Sequence, residues 1–199
     1  LVNALPNELH EMPNVLERIK KVKIMREASV DEGARKLASR PSQFRDLKNP
    51  ASYILIPSAT SENRKYIPLG FFGINEIAHN SCHLIPNGTR FQFGVLESEM
   101  HMSWVKYTCG RLKSDYRYSK DIVFNNFPWP ENPTDKQKQT VESAAQNVLD
   151  VRAKFPDASL ADLYDPNTMP PELVKAHQAM DKAVDLCYRP QSFINETKR

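Results

Sequence analysis

The sequence predicts an α+β fold: a mixed strand-and-helix middle region flanked by N-terminal helices and a small helical C-terminal domain. Three observations carry this. Apolar residues recur at helical spacing before residue 28 and again after residue 134. Between Ala51 and Pro130 they come instead as short runs and alternations that suit strands. Clusters of proline, fifteen against six glycines, punctuate the change from one pattern to the next. The divisions that follow are a helical spacer or linker over 1–28, the α+β region over 29–131 and the helical C-terminal domain over 132–199.

From Pro13 to about Ala28, Leu16, Ile19 and Val22 mark one helix among lysines and arginines. Asp31 to Ala38 forms a second, stopped by Arg40-Pro41. Tyr53-Ile54-Leu55-Ile56, closed by Pro57, reads as a strand, as does Lys65-Tyr66-Ile67-Pro68. Leu84-Ile85 leads to the turn signal Asn87-Gly88, and Arg90 to Val95 alternates like a strand with one buried face. Leu96, Met100, Trp104 and Val105 place a helix over Gly94 to Val105, and Ile122-Val123-Phe124 reads as a further strand. Phe127 to Pro133, FPWPENP, sustains neither helix nor central strand and is the expected boundary. Thr134 is a good N-cap for a helix with Val141, Ala144, Ala145, Val148 and Leu149 on one face. After a short turn at Ser159–Tyr164, Pro170-Pro171 opens a last helix with Leu173, Ala176, His177, Met180, Val184 and Cys187 on one stripe. Two such helices bury little alone, so they are expected to pack on the middle region or on further protein.

The 199 residues, 40% hydrophobic and 26% charged, have the balance of a folded globular chain. No apolar run approaches the roughly 20 residues of a membrane span, and no secretion signal opens the chain. The odd number and wide spacing of Cys82, Cys109 and Cys187 suit a reducing, cytoplasmic setting. The first residue, Leu1, points to a piece of a longer polypeptide.

The formal charge of +3 is mild, but the last third is acidic and the middle carries a dense basic window, Lys106 to Lys120. There Lys106, Arg111, Lys113, Arg117 and Lys120 face only Asp115 and are interleaved with Tyr107, Tyr116 and Tyr118. Clustered cations among aromatics suit a polyanion surface; a solvated strand-and-turn face is the plainer reading. Strand alternation after Gly110 puts Arg111, Lys113, Asp115 and Arg117 on one side and Leu112, Ser114, Tyr116 and Tyr118 on the other. Such a row can project into the major groove, where Lys or Arg donates to guanine O6/N7 and Asp accepts from the cytosine N4 amine. A local ion pair between Asp115 and Lys113 or Arg117 is the competing explanation.

Catalytic constellations are poor. His79, Cys82 and His83 lack the remaining ligands of a structural zinc. Glu97, Glu99 and His101 read as the wet face of an amphipathic helix, and a hydrolase built on His101 with either acid would lack a nucleophile. His177 reads as a core histidine. Asn49-Pro50-Ala51-Ser52 and Asn126-Phe127-Pro128-Trp129 lack the adjacent prolines of the Asn-Pro-Pro-aromatic tetrad of amino-methylating enzymes, and the scattered glycines form no cofactor loop. No cofactor is therefore expected on this chain.

Several long strings occur in order: SENRKYIPLGF from Ser61, FGVLESEMHMSW from Phe93, GRLKSDYRYS from Gly110, NNFPWP from Asn125 and SLADLYDP from Ser159, with Met169-Pro170 and Lys175-Ala176-His177. Together they resemble the C-terminal part of MmeI-like (type IIL) restriction-modification enzymes and related bacterial DNA methyltransferases, over roughly Ala28 to Tyr188. The resemblance implies a DNA target recognition domain followed by a helical C-terminal domain. It further implies an S-adenosylmethionine-dependent adenine-N6 methyltransferase domain upstream in the same polypeptide, sometimes with a nuclease. Double-stranded DNA is then the partner, the bacterial cytoplasm the location, and the fragment itself is non-catalytic. Lys113, Asp115 and Arg117 fall on the family's base-reading positions, with the Lys/Asp pair suited to G rather than C. Ser61, Asn63, Arg64, Lys65, Arg90, Lys106, Arg111 and Lys120 are expected at DNA backbone or secondary contacts. Trp104, Phe127 and Trp129 are expected in the core rather than stacked on bases. The rival from another class is a protein-assembly module with no direct base readout.

Overall fold

The computed structural model describes residues 4–45 and 50–198, and the chain forms two compact units, Leu1–Lys48 and Asn49–Arg199. In the first, α1 (Pro6–His10) leads into α2 (Pro13–Glu27), then α3 (Glu32–Lys36) and a single 3₁₀ turn, Leu37–Ser39. Asp31 caps α3, its carboxylate accepting from the amides of Gly33 (2.7 Å) and Ala34 (3.4 Å), and these bonds lower its pKa. The Arg26 guanidinium of α2 donates to the carbonyls of Leu37, Arg40 and Gln43 at 2.8–3.0 Å, tying the segment after the 3₁₀ turn to the helix.

The second unit holds two small antiparallel sheets. β1 (Ser52–Pro57) lies between β3 (Gly70–Gly73) and β4 (Cys82–Pro86), with Ile54 opposite Phe71 and Ile85. The other sheet places β6 (Asp115–Arg117) between β2 (Ala59–Thr60) and β5 (Gly110–Leu112). Four helices supply much of the rest of the core: α4 (Arg90–Leu96), α5 (Glu99–Thr108), α6 (Asp135–Arg152) and α8 (Pro171–Tyr188); α7 (Leu160–Leu163) is a single turn. The expected stripes of α6 and α8 face inward through Val141, Ala145, Val148, Leu173, Ala176 and Met180, and the two helices pack on each other and on α4. Gly94 permits this approach, since a Cβ there would lie 2.7 Å from a Val141 methyl.

Four local expectations fail. Arg90–Val95 is helix, not strand, because Thr89 and Gln92 form a reciprocal capping box and Phe93, Val95 and Leu96 turn inward together. The expected helix over Gly94 to Val105 is instead two helices, broken at Glu97-Ser98. Lys65–Pro68 is irregular, although Tyr66 and Ile67 are buried in the core. Ile122–Phe124 belongs to a π-helical turn, Lys120–Phe124, capped by Ser119.

Glu97 also departs from the wet-face expectation. Glu97 is fully buried and paired with Arg152, whose guanidinium also donates to the Leu69 carbonyl (2.8 Å) and, through Nε, to the Tyr164 hydroxyl (2.7 Å). That hydroxyl lies 2.7 Å from His177 Nε2, and the His177 ring stacks on Tyr66 at 4.0 Å. Tyr66 in turn donates to Asp181. A buried polar chain thus joins α4, α6, α7 and α8 to the segment leading into β3, and burial holds His177 well below its ordinary pKa.

Candidate functional site

The basic window folds as a hairpin rather than one continuous strand. β5 and β6 pair with Gly110 opposite Arg117, Arg111 opposite Tyr116 and Leu112 opposite Asp115, leaving Lys113-Ser114 as a two-residue loop. Lys113 takes φ 57°, the left-handed region that such loops need at a central position. Opposed residues share a face of a sheet, so Leu112, Asp115 and Arg117 stand on one side and Arg111 with Tyr116 on the other. This corrects the expected single row: Arg111 is absent from the ionic face, exposed Leu112 takes a place on it, and Lys113 occupies the tip.

Lys113, Asp115 and Arg117 are all exposed, and none bonds to another. Among the described residues the side chains of Lys113 and Arg117 have no hydrogen-bond or ion-pair partner, whereas Asp115 Oδ1 accepts the Glu62 amide at 3.3 Å. Arg111 lies 3.9 Å over the Tyr116 ring, donates to the Ser114 carbonyl at 2.7 Å and sits 3.7 Å from the Glu62 carboxylate. Glu62 escaped the sequence reading, because its link to the hairpin depends on β2 pairing with β6 across more than fifty residues.

The hairpin is anchored from below. Tyr116 and Tyr118 are buried, and the Tyr118 amide donates to the Ser58 carbonyl at 2.9 Å. Its hydroxyl donates to His101 Nε2 (3.1 Å), while His101 Nδ1 donates to the Leu96 carbonyl (2.7 Å). Burial pushes the His101 pKa down to about 4, so the ring is neutral and suited to this donor-acceptor arrangement. Sealed among Tyr118 and Phe127, it faces no substrate, and Glu97 is equally enclosed.

The other expected contacts divide. Ser61, Asn63 and Arg64 follow β2 and, with Asp165, Pro166 and Asn167, line a polar depression of about 350 Å³; Asp115 reaches the same loop through Glu62. Lys65 is exposed, with its ammonium paired to Glu99 of α5. Arg90 opens α4 beside Phe71, Gly88 and Gln146, in a different depression. Lys106 is half-buried in the last turn of α5, and Lys120 lies 3.7 Å from Asp121.

Phe127, Trp104 and Trp129 form an edge-to-face aromatic cluster with His101 and Phe124, as expected of core residues. Of the Asn126–Trp129 string, Phe127 and Trp129 pack into this cluster, while Asn126 is exposed and donates to the carbonyls of Asp121 and Ile122. Asn49 of the other string lies outside the described residues. His79 bonds to Ser81 (2.8 Å) and His83 to Ser58 (3.3 Å); among the described residues no group of three or more His, Cys, Asp or Glu is placed to hold a metal. No described helix is long and apolar enough to cross a membrane.

Comparison with known proteins matches residues 1–131 to the target recognition domain of MmeI and residues 133–199 to the MmeI C-terminal domain. The chain is 43% identical over 200 residues to DNA methyltransferase A of Bacillus subtilis (strain 168), covering 100% of this chain and 22% of that protein. It also matches the structure of the type IIL restriction-modification enzyme MmeI in complex with DNA, with a TM-score of 0.84 and 44% identity, over 98% of this chain and 26% of that one. The chain thus spans about a quarter or less of the length of these relatives.

Proposed function

The chain belongs to the MmeI family, comprising its target recognition and C-terminal domains, and we propose that it reads double-stranded DNA sequence on behalf of a larger DNA methyltransferase. The observation that carries this reading is the hairpin. A two-stranded ribbon fits the major groove, and this one exposes Lys113 at its tip with Asp115 and Arg117 behind it. Lys113 donates to guanine O6/N7, Asp115 accepts from the paired cytosine N4 amine, and Arg117 reads or anchors beside them. Asp115 uses Oδ1 on the Glu62 amide and keeps Oδ2 for the base. Ser61, Asn63 and Arg64 adjoin the hairpin as secondary or phosphate contacts.

The methyl transfer belongs, in this reading, to an S-adenosylmethionine-dependent adenine-N6 methyltransferase domain elsewhere in the same polypeptide, in a bacterial cytoplasm. This region's part is to select and orient the duplex so that the absent domain can extrude the target base.

The test is a charge exchange. Duplexes recovered by the chain from a randomised pool define its preferred site. Lys113→Glu with Asp115→Arg is expected to change the preference at one G·C pair and to weaken the original site by about 1–3 kcal/mol. Unchanged preference in the double variant would refute the assigned roles. Equal, salt-abolished binding to all duplexes would favour an assembly module.

A further inference from the structure

Resting on that reading, we infer that Arg111 and Glu62 are positioning residues for base readout: together they hold the hairpin tip that presents Lys113 and Asp115, and Arg111 is not a phosphate anchor. The hairpin is in need of such a device. Its strands are three residues each, and every residue of β5 is exposed. Nothing lies within 4 Å of where a Gly110 Cβ would be, so the outer strand gains no packing there. β6 pairs on its other side with the two-residue β2, but β5 is an edge strand held by β6 alone, and Lys113 takes a left-handed φ that a lysine adopts only under constraint.

Arg111 supplies the constraint from three directions. Its guanidinium covers the ring of Tyr116, the cross-strand partner whose ring is buried, and so fastens the outer strand to the inner one. Its Nη1 donates to the carbonyl of Ser114, the residue that completes the loop after Lys113. The same nitrogen faces Glu62, whose backbone amide donates to Asp115. One residue pair therefore touches both sides of the reading element: the loop that aims Lys113 and the carboxylate of Asp115.

This placement is a poor one for gripping phosphate. Phosphate capture by arginine uses the open fork of the guanidinium, and here one face is stacked and Nη1 is already engaged. The position of Glu62 makes sense on the same grounds. A carboxylate beside a DNA-facing hairpin is repelled by phosphates unless it serves a cation of the protein, and Arg111 is that cation.

The experiment compares the 199-residue chain with Arg111→Lys and Glu62→Gln. Fluorescence anisotropy is followed over a series of salt concentrations on two duplexes: one recovered from a randomised pool, and a copy with the read G·C pair inverted. Lysine keeps the charge but can neither stack as a plane nor fork. Arg111→Lys is expected to lose about tenfold in the ratio of the two affinities, the scale of one base-reading contact. Its affinity for the inverted duplex and its salt slope should stay unchanged. Glu62→Gln should lower the ratio in the same direction without weakening the inverted duplex. Tryptophan emission should melt as in the unmodified chain for both variants. Retention of the full ratio by Arg111→Lys overturns the inference. So does an equal loss on both duplexes with a salt slope smaller by about one, the mark of a phosphate contact. If the unmodified chain enriches no sequence from the pool, the DNA-reading function falls, and the inference with it.

Discussion

Replacing Arg152 by methionine tests the buried polar chain that fixes the segment behind the candidate site. The side chain is 8% exposed and its partner Glu97 is fully enclosed, so the substitution leaves a carboxylate in the core with no cation. It also strips the Leu69 carbonyl of its 2.8 Å donor and the Tyr164 hydroxyl of its 2.7 Å one. Breaking a buried pair on one side costs about 3–5 kcal/mol, equivalent to a fall in Tm of about 6–20 °C for a chain of this size. Removing both charges, Glu97→Met with Arg152→Leu, eliminates the stranded ion, and most of the loss should return. Urea titration followed by tryptophan emission is the assay. Trp104 and Trp129 both lie in the second unit, so the signal is not mixed with unfolding of the first. A loss below about 1 kcal/mol in the single variant, or a double variant no better than the single, would refute the reasoning.

Acid should destabilise the second unit before its carboxylates titrate fully. His101 has a folded pKa of about 4 against an ordinary 6.5, so the unfolded chain binds its proton first and stability falls as pH drops from 6.5 to 4. The His101 contribution is ~3 kcal/mol, with His177 acting in the same sense. His101→Gln should flatten the dependence of the urea midpoint on pH across this interval; an unaltered slope would count against it. Gly94→Ala should cost about 1–3 kcal/mol, because its methyl group meets Val141 at 2.7 Å where α4 and α6 touch. Urea midpoints equal to those of the unmodified chain would show that α6 yields freely.

Elements whose determinants lie close together in the chain were legible from the residues alone. Thr134 caps α6 through a reciprocal bond with Gln137, three residues on, and the apolar stripes of α6 and α8 repeat over five turns. β1 was equally plain as an apolar run closed by Pro57, whereas Leu84-Ile85 of β4 marked only the approach to the Asn87-Gly88 turn. α4 was misread because seven residues are too few to separate a period of two from one of 3.6, and the capping box at Thr89 was the stronger signal. The hairpin loop announced itself poorly, since Lys113-Ser114 has neither the glycine nor the asparagine that such loops usually carry.

The sequence by itself thus determined the helices α2, α3, α6 and α8, the strand β1, the kinship of the strings and the residue types available for reading bases. Tertiary structure alone decided which charges are free to do so. Arg111 and Arg117 are alike as letters, yet strand pairing turns one onto Tyr116 and leaves the other with no side-chain partner among the described residues. Glu97 and Asp115 are both acids beside apolar residues, but a cation 55 positions away claims Glu97 for the core. The energy of a charge is set by the dielectric and partners around it, and those come from chain segments that no local pattern brings together.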